Sequence, residues 1–304
     1  MNILLLGKNG QVGWELQRSL ALLGTVTALD FDSTEHCGDF AQPNAIADTV
    51  RALRPDVIVN AAAHTAVDRA ETEPDLARLL NATTPGVLAV EAARLGALLV
   101  HYSTDYVFDG SGHQPWVETD APAPLSVYGR TKLEGEQLIA QSGAQHLILR
   151  TSWVFAARGG NFAKTMLRLA QHKDSLRVVA DQWGAPTSAH LIARATLDMM
   201  RVCDSNEQSL WGTYHVSASG RTNWHAYACE AIAQAKRLGL VTKLVSEAIE
   251  AIPASAYPTP ACRPANSCLN TAKLATVLGY PLADWHNGVQ DTIQELAASG
   301  WTHL

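Results

Sequence analysis

NILLLGKNGQVGWELQRSLALLGTVTALD, residues 2–30, decides the reading of the fold. Its first apolar run, Asn2–Leu6, has strand length, and three glycines, Gly7, Gly10 and Gly13, follow it directly. Val12, Leu16, Leu20 and Leu23 then recur at helical spacing before a second apolar run, Thr25–Leu29. A strand that turns through glycines into a helix suits phosphate binding. The turn is tight, the backbone can approach a pyrophosphate with no Cβ between, and the helix can pack closely on the strand. The helix N-terminus adds unpaired N–H groups and a partial positive charge. The spacing is G-x-x-G-x-x-G, not the commoner G-x-G-x-x-G, so three glycines alone say little. Their place at the first strand–helix junction is what points to a dinucleotide. Asp30, ending the second strand, is placed to accept from an adenosine ribose 2′-OH, which favours NADH. Lys8, inside the glycine loop, offsets part of the repulsion that a 2′-phosphate would meet, so NADPH stays open. Gly38-Asp39-Phe40, after a polar loop, is assigned to the adenine side.

The same alternation runs outward from this stretch. Apolar runs at Val57–Ala62, Leu98–Ser103 and His146–Thr151 alternate with helix-period segments at Ala45–Leu53, Asp75–Leu95 and Arg130–Gln141. Parallel strands need crossovers and crossovers are right-handed, so the order predicts an α/β fold with a Rossmann-like, doubly wound parallel sheet. Beyond residue 151 the rhythm becomes irregular. Helical patterns at Asn161–His172, Ala189–Met200, Trp224–Leu238 and Asp284–Ala298 and strands at Leu176–Ala180 and Tyr214–Ser217 read as a smaller lobe. IPASAYPTPACRP, residues 252–264, is too rich in proline for a helix or a central strand and reads as an extended wrapping loop. The expected division is therefore a dinucleotide-binding core, 1–150, and a mainly substrate-binding lobe, 151–304, with some strands and helices returning to the core.

Composition narrows the partners. The 304 residues are 47% hydrophobic and 17% charged, an ordinary globular balance, and no stretch has the length of apolar sequence that a membrane span needs. A net charge of −6 argues against nucleic acid and anionic lipid, both of which need a basic face, and leaves small molecules. Five cysteines, an odd number with no C-x-x-C pair, signal neither a disulfide framework nor a zinc site. The start has too short an apolar run, with glycines straight after, for a signal peptide, so a cytoplasmic protein is expected.

The catalytic signal lies further along. The fourth apolar run ends in VHYSTDYVFDG, residues 100–110, which puts Ser103, Thr104 and Asp105 at the carboxyl end of a parallel strand, where ligands bind. Tyr128 and Lys132 stand four apart, on one helical face about a turn from each other. Reducing a ketone takes hydride from a nicotinamide and a proton for the developing alkoxide. A tyrosine titrates near 10 unaided; a cation beside it stabilises the phenolate and lowers that value. Lys132 is expected to do this for Tyr128, with Thr104 steadying the carbonyl oxygen.

With these elements in place the chain resembles the extended short-chain dehydrogenase/reductases, and among them the dTDP-4-dehydrorhamnose reductase family. The resemblance covers nearly the whole chain and includes NAAAHTAVDRAE at 60–71, HYSTDYVFDG at 101–110, RTSWVF at 150–155, NFAKTMLRLA at 161–170, DQWGAPT at 181–187 and SAYPTPACRP at 255–264. It implies reduction by NADH or NADPH of the 4-keto group of dTDP-6-deoxy-L-lyxo-4-hexulose to dTDP-L-rhamnose, a precursor of cell-surface polysaccharide. It also implies residue roles. Gly10, Gln11 and Val12 touch the pyrophosphate, Asp30 the ribose, and Asp39 and Phe40 the adenine side. Ala62, Ala63, His64 and Thr65 line the dinucleotide cleft, and Tyr102 lies near the nicotinamide half. Tyr128 is the proton donor, Lys132 binds the cofactor and tunes the tyrosine, and Thr104, Asp105 and Trp153 contact the sugar. Asn161 and Arg263 are further candidates for substrate contact, Arg263 as a guanidinium fork on the diphosphate. Plain structural roles compete for three of these: a surface salt bridge for Arg263, core packing for Trp153, and a hydrogen-bonded structural histidine for His64.

Some relatives form a metal-bridged homodimer. Here Glu15 is present but position 190 is His, and a hard cation such as Mg²⁺ prefers carboxylate and water, so Mg²⁺ stays an open option without being expected. Dehydratases of the superfamily carry an acidic pair after the threonine, whereas Asp105 is followed by Tyr106, which favours simple reduction. A 4-epimerase and a non-catalytic regulatory subunit of the methionine adenosyltransferase type are the remaining alternatives. The intact Tyr128, Lys132 and Thr104 set argues against the latter.

Overall fold

Val, Ile and Leu on both faces of a strand mean that both faces are covered, and the central sheet follows that rule. In this computed structural model, which describes residues 1–205, 210–240 and 243–301, β1 (Asn2–Leu6), β2 (Thr25–Leu29), β3 (Val57–Asn60), β4 (Leu98–Thr104) and β5 (His146–Thr151) lie parallel in the order β2-β1-β3-β4-β5. Alternate residues serve opposite layers. Ile3, Leu5, Val59 and Val100 pack toward Leu16 and Leu20 of α1 (Gln11–Leu20), whereas Leu4, Leu6, Ile58 and Leu99 pack toward Ile46 and Val50 of α2 (Pro43–Leu53). Because β2 and β3 flank β1 on opposite sides, the switch point falls between β1 and β3, and a crevice opens at the carboxyl ends of those strands.

The expected helix Asp75–Leu95 is interrupted. After the short α3 (Val67–Ala70) come α4 (Pro74–Arg78), a wide π turn at Leu79–Thr83, and α5 (Thr84–Leu95). Pro85 has no N–H to give to Asn81, so the ordinary i to i−4 bond is lost there and the turn widens. The widening puts Asn81 to use. Its Oδ1 accepts the N–H of His64 at 2.8 Å, and its Nδ2 donates to the His64 carbonyl at 3.1 Å and to Thr131 Oγ1 at 3.2 Å. Thr131 is on α6 (Val127–Gln141), so one buried amide ties the loop after β3 to the helix bearing Tyr128 and Lys132.

The second half of the chain divides its residues. β6 (Val154–Phe155), α7 (Phe162–His172), β7 (Leu176–Val179), β8 (Trp183–Gly184) and β9 (Thr187–Ser188) lead into α8 (Ala189–Ser205), which packs on α1 through Ile192, Ala193 and Met199. β10 (Gly212–His215) then joins the main sheet as a sixth parallel strand beside β5. β11 (Thr222–Asn223), α9 (Trp224–Arg237), β12 (Ile249–Ile252), α10 (Ala272–Leu278) and α11 (Trp285–Ala298) follow. A second core, with Phe155, Leu167, Tyr227, Ile232 and Trp285, lies among α7, α9 and α11. Residues 252–264 hold a 3-10 turn at Ala254–Ala256 and otherwise no regular element beyond the end of β12. Among the described residues no helix is long and apolar enough to cross a membrane.

One buried ion pair fixes α6 against β5. Arg150 donates from Nε to Glu136 Oε1 at 2.9 Å and from a terminal nitrogen to Oε2 at 2.6 Å, and both residues are buried. Removing one partner strands the other charge away from water. Glu136→Gln is expected to lower unfolding free energy by about 3–5 kcal/mol, measured as a shift in the urea midpoint at constant slope. A shift of only a few tenths of a molar would show the pair to be incidental.

Candidate active site

The site begins where glycine is unavoidable. Gly7 has φ +86°, and a Cβ there would lie 2.6 Å from the Ala62 nitrogen; a Cβ on Gly13 would run into the Gly7 carbonyl oxygen. Both contacts draw α1 against β1 and β3, so the helix N-terminus meets the crevice. Gly10 precedes α1 and has no side chain with which to cap it. The amides of the first turn are therefore left to a ligand. Asp30 braces the loop: its Oδ2 accepts the Asn9 N–H at 2.9 Å and its Oδ1 the Phe31 N–H at 2.8 Å.

A cavity of about 540 Å³ runs from this turn across the carboxyl ends of the sheet. Gly7, Gly10, Gln11, Val12, Asp30, Ala62, Ala63 and Thr65 line it together with Tyr102, Thr104, Asp105, Tyr128 and Lys132. Trp153, Asn161 and Trp224, from the second half of the chain, line it as well. Ser103 Oγ, Thr151 Oγ1 and Asp105 Oδ2 are buried on this wall with no protein partner, three polar atoms left for a ligand to satisfy. An uncapped helix end, a bare-glycine cradle and a carboxylate at the end of β2 fit a dinucleotide.

Thr104 ends β4, accepts the Tyr106 N–H at 3.1 Å and donates to Asp105 Oδ1 at 3.1 Å. Burial pushes Asp105 up to about 7, against the opposing pull of the Ser267 and Thr104 hydroxyls. Ser126 caps α6 by accepting the Gly129 N–H at 3.1 Å, which sets Tyr128 in the first turn. Burial pushes the Tyr128 phenol up to about 12, Thr104 acting to lower it and the Asp105 charge to raise it. The expectation that Lys132 lowers Tyr128 is not met in this state. Lys132 is directed elsewhere, to the Tyr102 carbonyl at 2.6 Å and the His101 ring at 3.2 Å, and burial brings it down to about 8.

Trp153 is held by unusual means. Its backbone is left-handed, φ 47°, its ring stacks on Trp224 at 3.6 Å between centroids, and it lies against Gly184, where a Cβ would approach within 2.7 Å. Strain of this kind is kept where the surroundings over-determine it, often at a ligand site. Asn161 caps α7, accepting the Lys164 N–H at 3.0 Å, and donates to Gln11 Oε1 at 2.9 Å, joining the second half of the chain to the glycine turn.

Other candidates stand back from the cavity. Phe40 is 5% exposed in the core under β1, with its carbonyl bound by Thr84, and Asp39 accepts from Ala41 and Gln42 of its own loop. His64 is buried, with Nε2 3.5 Å from Glu73. Gly13 serves the helix–strand contact. Tyr102 lines the cavity, but its ring turns into the core, where its hydroxyl meets Thr196 at 2.7 Å, and its carbonyl accepts from Lys132. Arg263 pairs with Asp68 at 2.8 Å and lines an adjoining cavity of about 520 Å³. Glu15 is bound by Arg18 at 3.1 Å and lies 3.6 Å from His190, and among the described residues no group of three or more His, Cys, Asp or Glu is placed to hold a metal. Trp224, Tyr106 and Val67 are cleft residues the sequence reading missed. Trp224 carries no local motif and comes to the site only by stacking on Trp153.

Residues 1–298 match the model of the RmlD substrate binding domain. A dTDP-4-dehydrorhamnose reductase of Shigella flexneri is 55% identical over 97% of this chain and 98% of that protein. The crystal structure of a dTDP-4-dehydrorhamnose reductase from Clostridium acetobutylicum superposes with a TM-score of 0.87 at 35% identity, covering 97% of this chain and 99% of that one. One from Bacillus anthracis, in complex with NADP, gives 0.86 at 31% over the same shares. With a family model spanning nearly every residue and relatives matched end to end, the chain belongs to the RmlD substrate binding domain family.

Proposed function

We propose that this protein is a dTDP-4-dehydrorhamnose reductase that uses a reduced nicotinamide dinucleotide on the 4-keto group of dTDP-6-deoxy-L-lyxo-4-hexulose. The observation that carries the reading is one cleft lined by the glycine turn and by Thr104, Tyr128 and Lys132, with residues from both halves of the chain in its wall. Residues 1–150 hold the dinucleotide and the later lobe the sugar nucleotide. Gln11, Val12 and the α1 N-terminus meet the diphosphate, Asp30 the adenosine ribose, and Ala62, Ala63 and Thr65 the floor of the cleft. Asp30 favours NADH, and Lys8 leaves room for NADPH.

When bound, the nicotinamide supplies hydride to the keto carbon. The protein supplies the rest. Tyr128, whose phenol titrates near 12, is fully protonated at neutral pH and gives its proton to the keto oxygen. Thr104 steadies that oxygen, and Asp105 Oδ2 receives a sugar hydroxyl. Trp153 forms a flat wall for the pyranose, and Arg263, drawn from Asp68, meets the sugar nucleotide's diphosphate in the adjoining cavity.

Tyr128→Phe is expected to lower turnover by about 10²–10⁴-fold while leaving dinucleotide affinity within a few-fold. Lys132→Met is expected to impair both. The assay follows loss of reduced-nicotinamide absorbance with dTDP-4-keto-6-deoxyhexose, the upstream epimerase and each dinucleotide in turn. Wild-type turnover in the phenylalanine variant would remove the proton-donor assignment, and no oxidation with either dinucleotide would remove the reading itself.

Asp105 generates a pH-dependent stability. Its folded value lies above its unfolded one, so the folded state holds the extra proton and stability falls as pH rises from about 4 to about 7. Asp105→Asn removes this component. The melting temperature of the variant relative to wild type is expected to rise between those limits and level off above, and a pH-independent difference would count against a buried, ligand-facing carboxyl.

A further inference from the structure

Behind the cleft wall, buried side chains form a hydrogen-bonded chain. Asn60 Oδ1 accepts the Ala62 N–H at 3.0 Å, Asn60 Nδ2 lies 2.9 Å from His101 Nδ1, and His101 Nε2 lies 3.2 Å from Lys132 Nζ. None of Asn60, His101 and Lys132 is more than 2% exposed. The direction of every bond follows from one end. A backbone N–H only donates, so the Asn60 atom facing Ala62 is the oxygen and the atom facing His101 is the NH2. An NH2 only donates, so Nδ1 of His101 is bare. Burial holds that imidazole neutral, so its single hydrogen is on Nε2. A hydrogen on Nε2 aimed at Nζ needs a lone pair there, which an amine has and an ammonium lacks.

We propose that His101 is a positioning residue that favours the amine form of Lys132, and that binding of the anionic dinucleotide favours the ammonium, so that binding above neutral pH takes up close to one proton at Lys132 Nζ. This rests on the dinucleotide reading above. The uptake is a simple protonation: the Nζ lone pair takes H⁺ from bulk water and no electrons change hands. The new ammonium can no longer accept from Nε2–H, and two donors now face each other. Nζ therefore turns to the cleft it already lines, where ribose hydroxyls and phosphates bring acceptors and negative charge. There it stands as a cation close to Tyr128. Burial acts on Lys132 in the same direction as the bond from His101.

The surrounding groups leave the lysine few rivals. On α6, Glu136 pulls Lys132 upward but is itself bound by Arg150 of β5, and Tyr128 is neutral. On and after β4, the Tyr102 phenol is bound to Thr196, the Tyr106 phenol is pushed up by burial, and Asp105 is half protonated near neutrality. Of the charged groups of α3, α4 and α5, Asp68 pairs with Arg263, Arg69 with Glu73, Arg78 with Glu134, and Glu91 with Arg51 and Arg94, while Asp75 stands in the first turn of α4.

Two measurements on the intact protein test the idea. Calorimetric titration with NADH in buffers of different ionisation enthalpy reads the protons taken up. Uptake is expected to approach one at about pH 9 and to be a small fraction at about pH 6, with affinity falling roughly tenfold per pH unit across the alkaline range. In His101→Gln a carboxamide oxygen can face an ammonium, so the uptake curve is expected to move up by about one pH unit or more. Nitrogen-15 NMR of histidine-labelled wild type, with the variant identifying the signal, is expected to show the Nε2–H tautomer of His101. Binding without proton uptake at pH 9, superimposed curves for the two proteins, or an Nδ1–H tautomer would overturn the proposal. Failure to bind either dinucleotide at any pH would instead reject the function proposed above, and the proton uptake with it.

Discussion

A missing Cβ governs the whole molecule. Any side chain at Gly13 would collide with the carbonyl of Gly7, and any at Gly7 with the backbone entering the loop after β3. Because neither exists, α1 lies close against β1, its N-terminus opens onto the crevice, and Ala61–Ala63 come within reach of the same ligand. The helix-end electrostatics and the placing of Asp30 depend on that approach. The sheet's twin hydrophobic layers then hold it rigid, since the contact is set by backbone atoms with little freedom to give.

A second constraint works from the other side of the cleft. α6 is secured by three separate devices: the Ser126 cap at its start, the Asn81 amide at Thr131, and the buried Arg150–Glu136 fork further along. Tyr128 and Lys132 sit between these attachments. Pinning the helix over its length fixes their side chains relative to Thr104 more closely than the Tyr-x-x-x-Lys spacing alone can, and it explains why polar groups are buried here despite their cost.

Much of this was legible along the chain. The glycine turn, the parallel order of the first five strands, the Thr104–Asp105 strand end and the Tyr128–Lys132 face follow from local pattern, because strand and helix periods and backbone sterics act over a few residues. The π turn at Leu79–Thr83 was hidden because a helical pattern is nearly unchanged by one widened turn. The sixth strand was hidden in its role, since nothing in Gly212–His215 says that it pairs with β5 rather than with a neighbour in the smaller lobe.

The amino-acid order by itself determined the fold class and the chemical inventory of the cleft, since each rests on interactions between near neighbours. Tertiary structure decided which inventory members face the ligand. Phe40 and His64 are absorbed by packing and by local hydrogen bonds, the Tyr102 ring is sealed by a threonine 94 positions away, and Trp224 is recruited by stacking on Trp153. It also decided the surroundings of Lys132. Its burial and its contacts with His101 and the Tyr102 carbonyl are set across the fold, and neither is written in the spacing of residues on a helix.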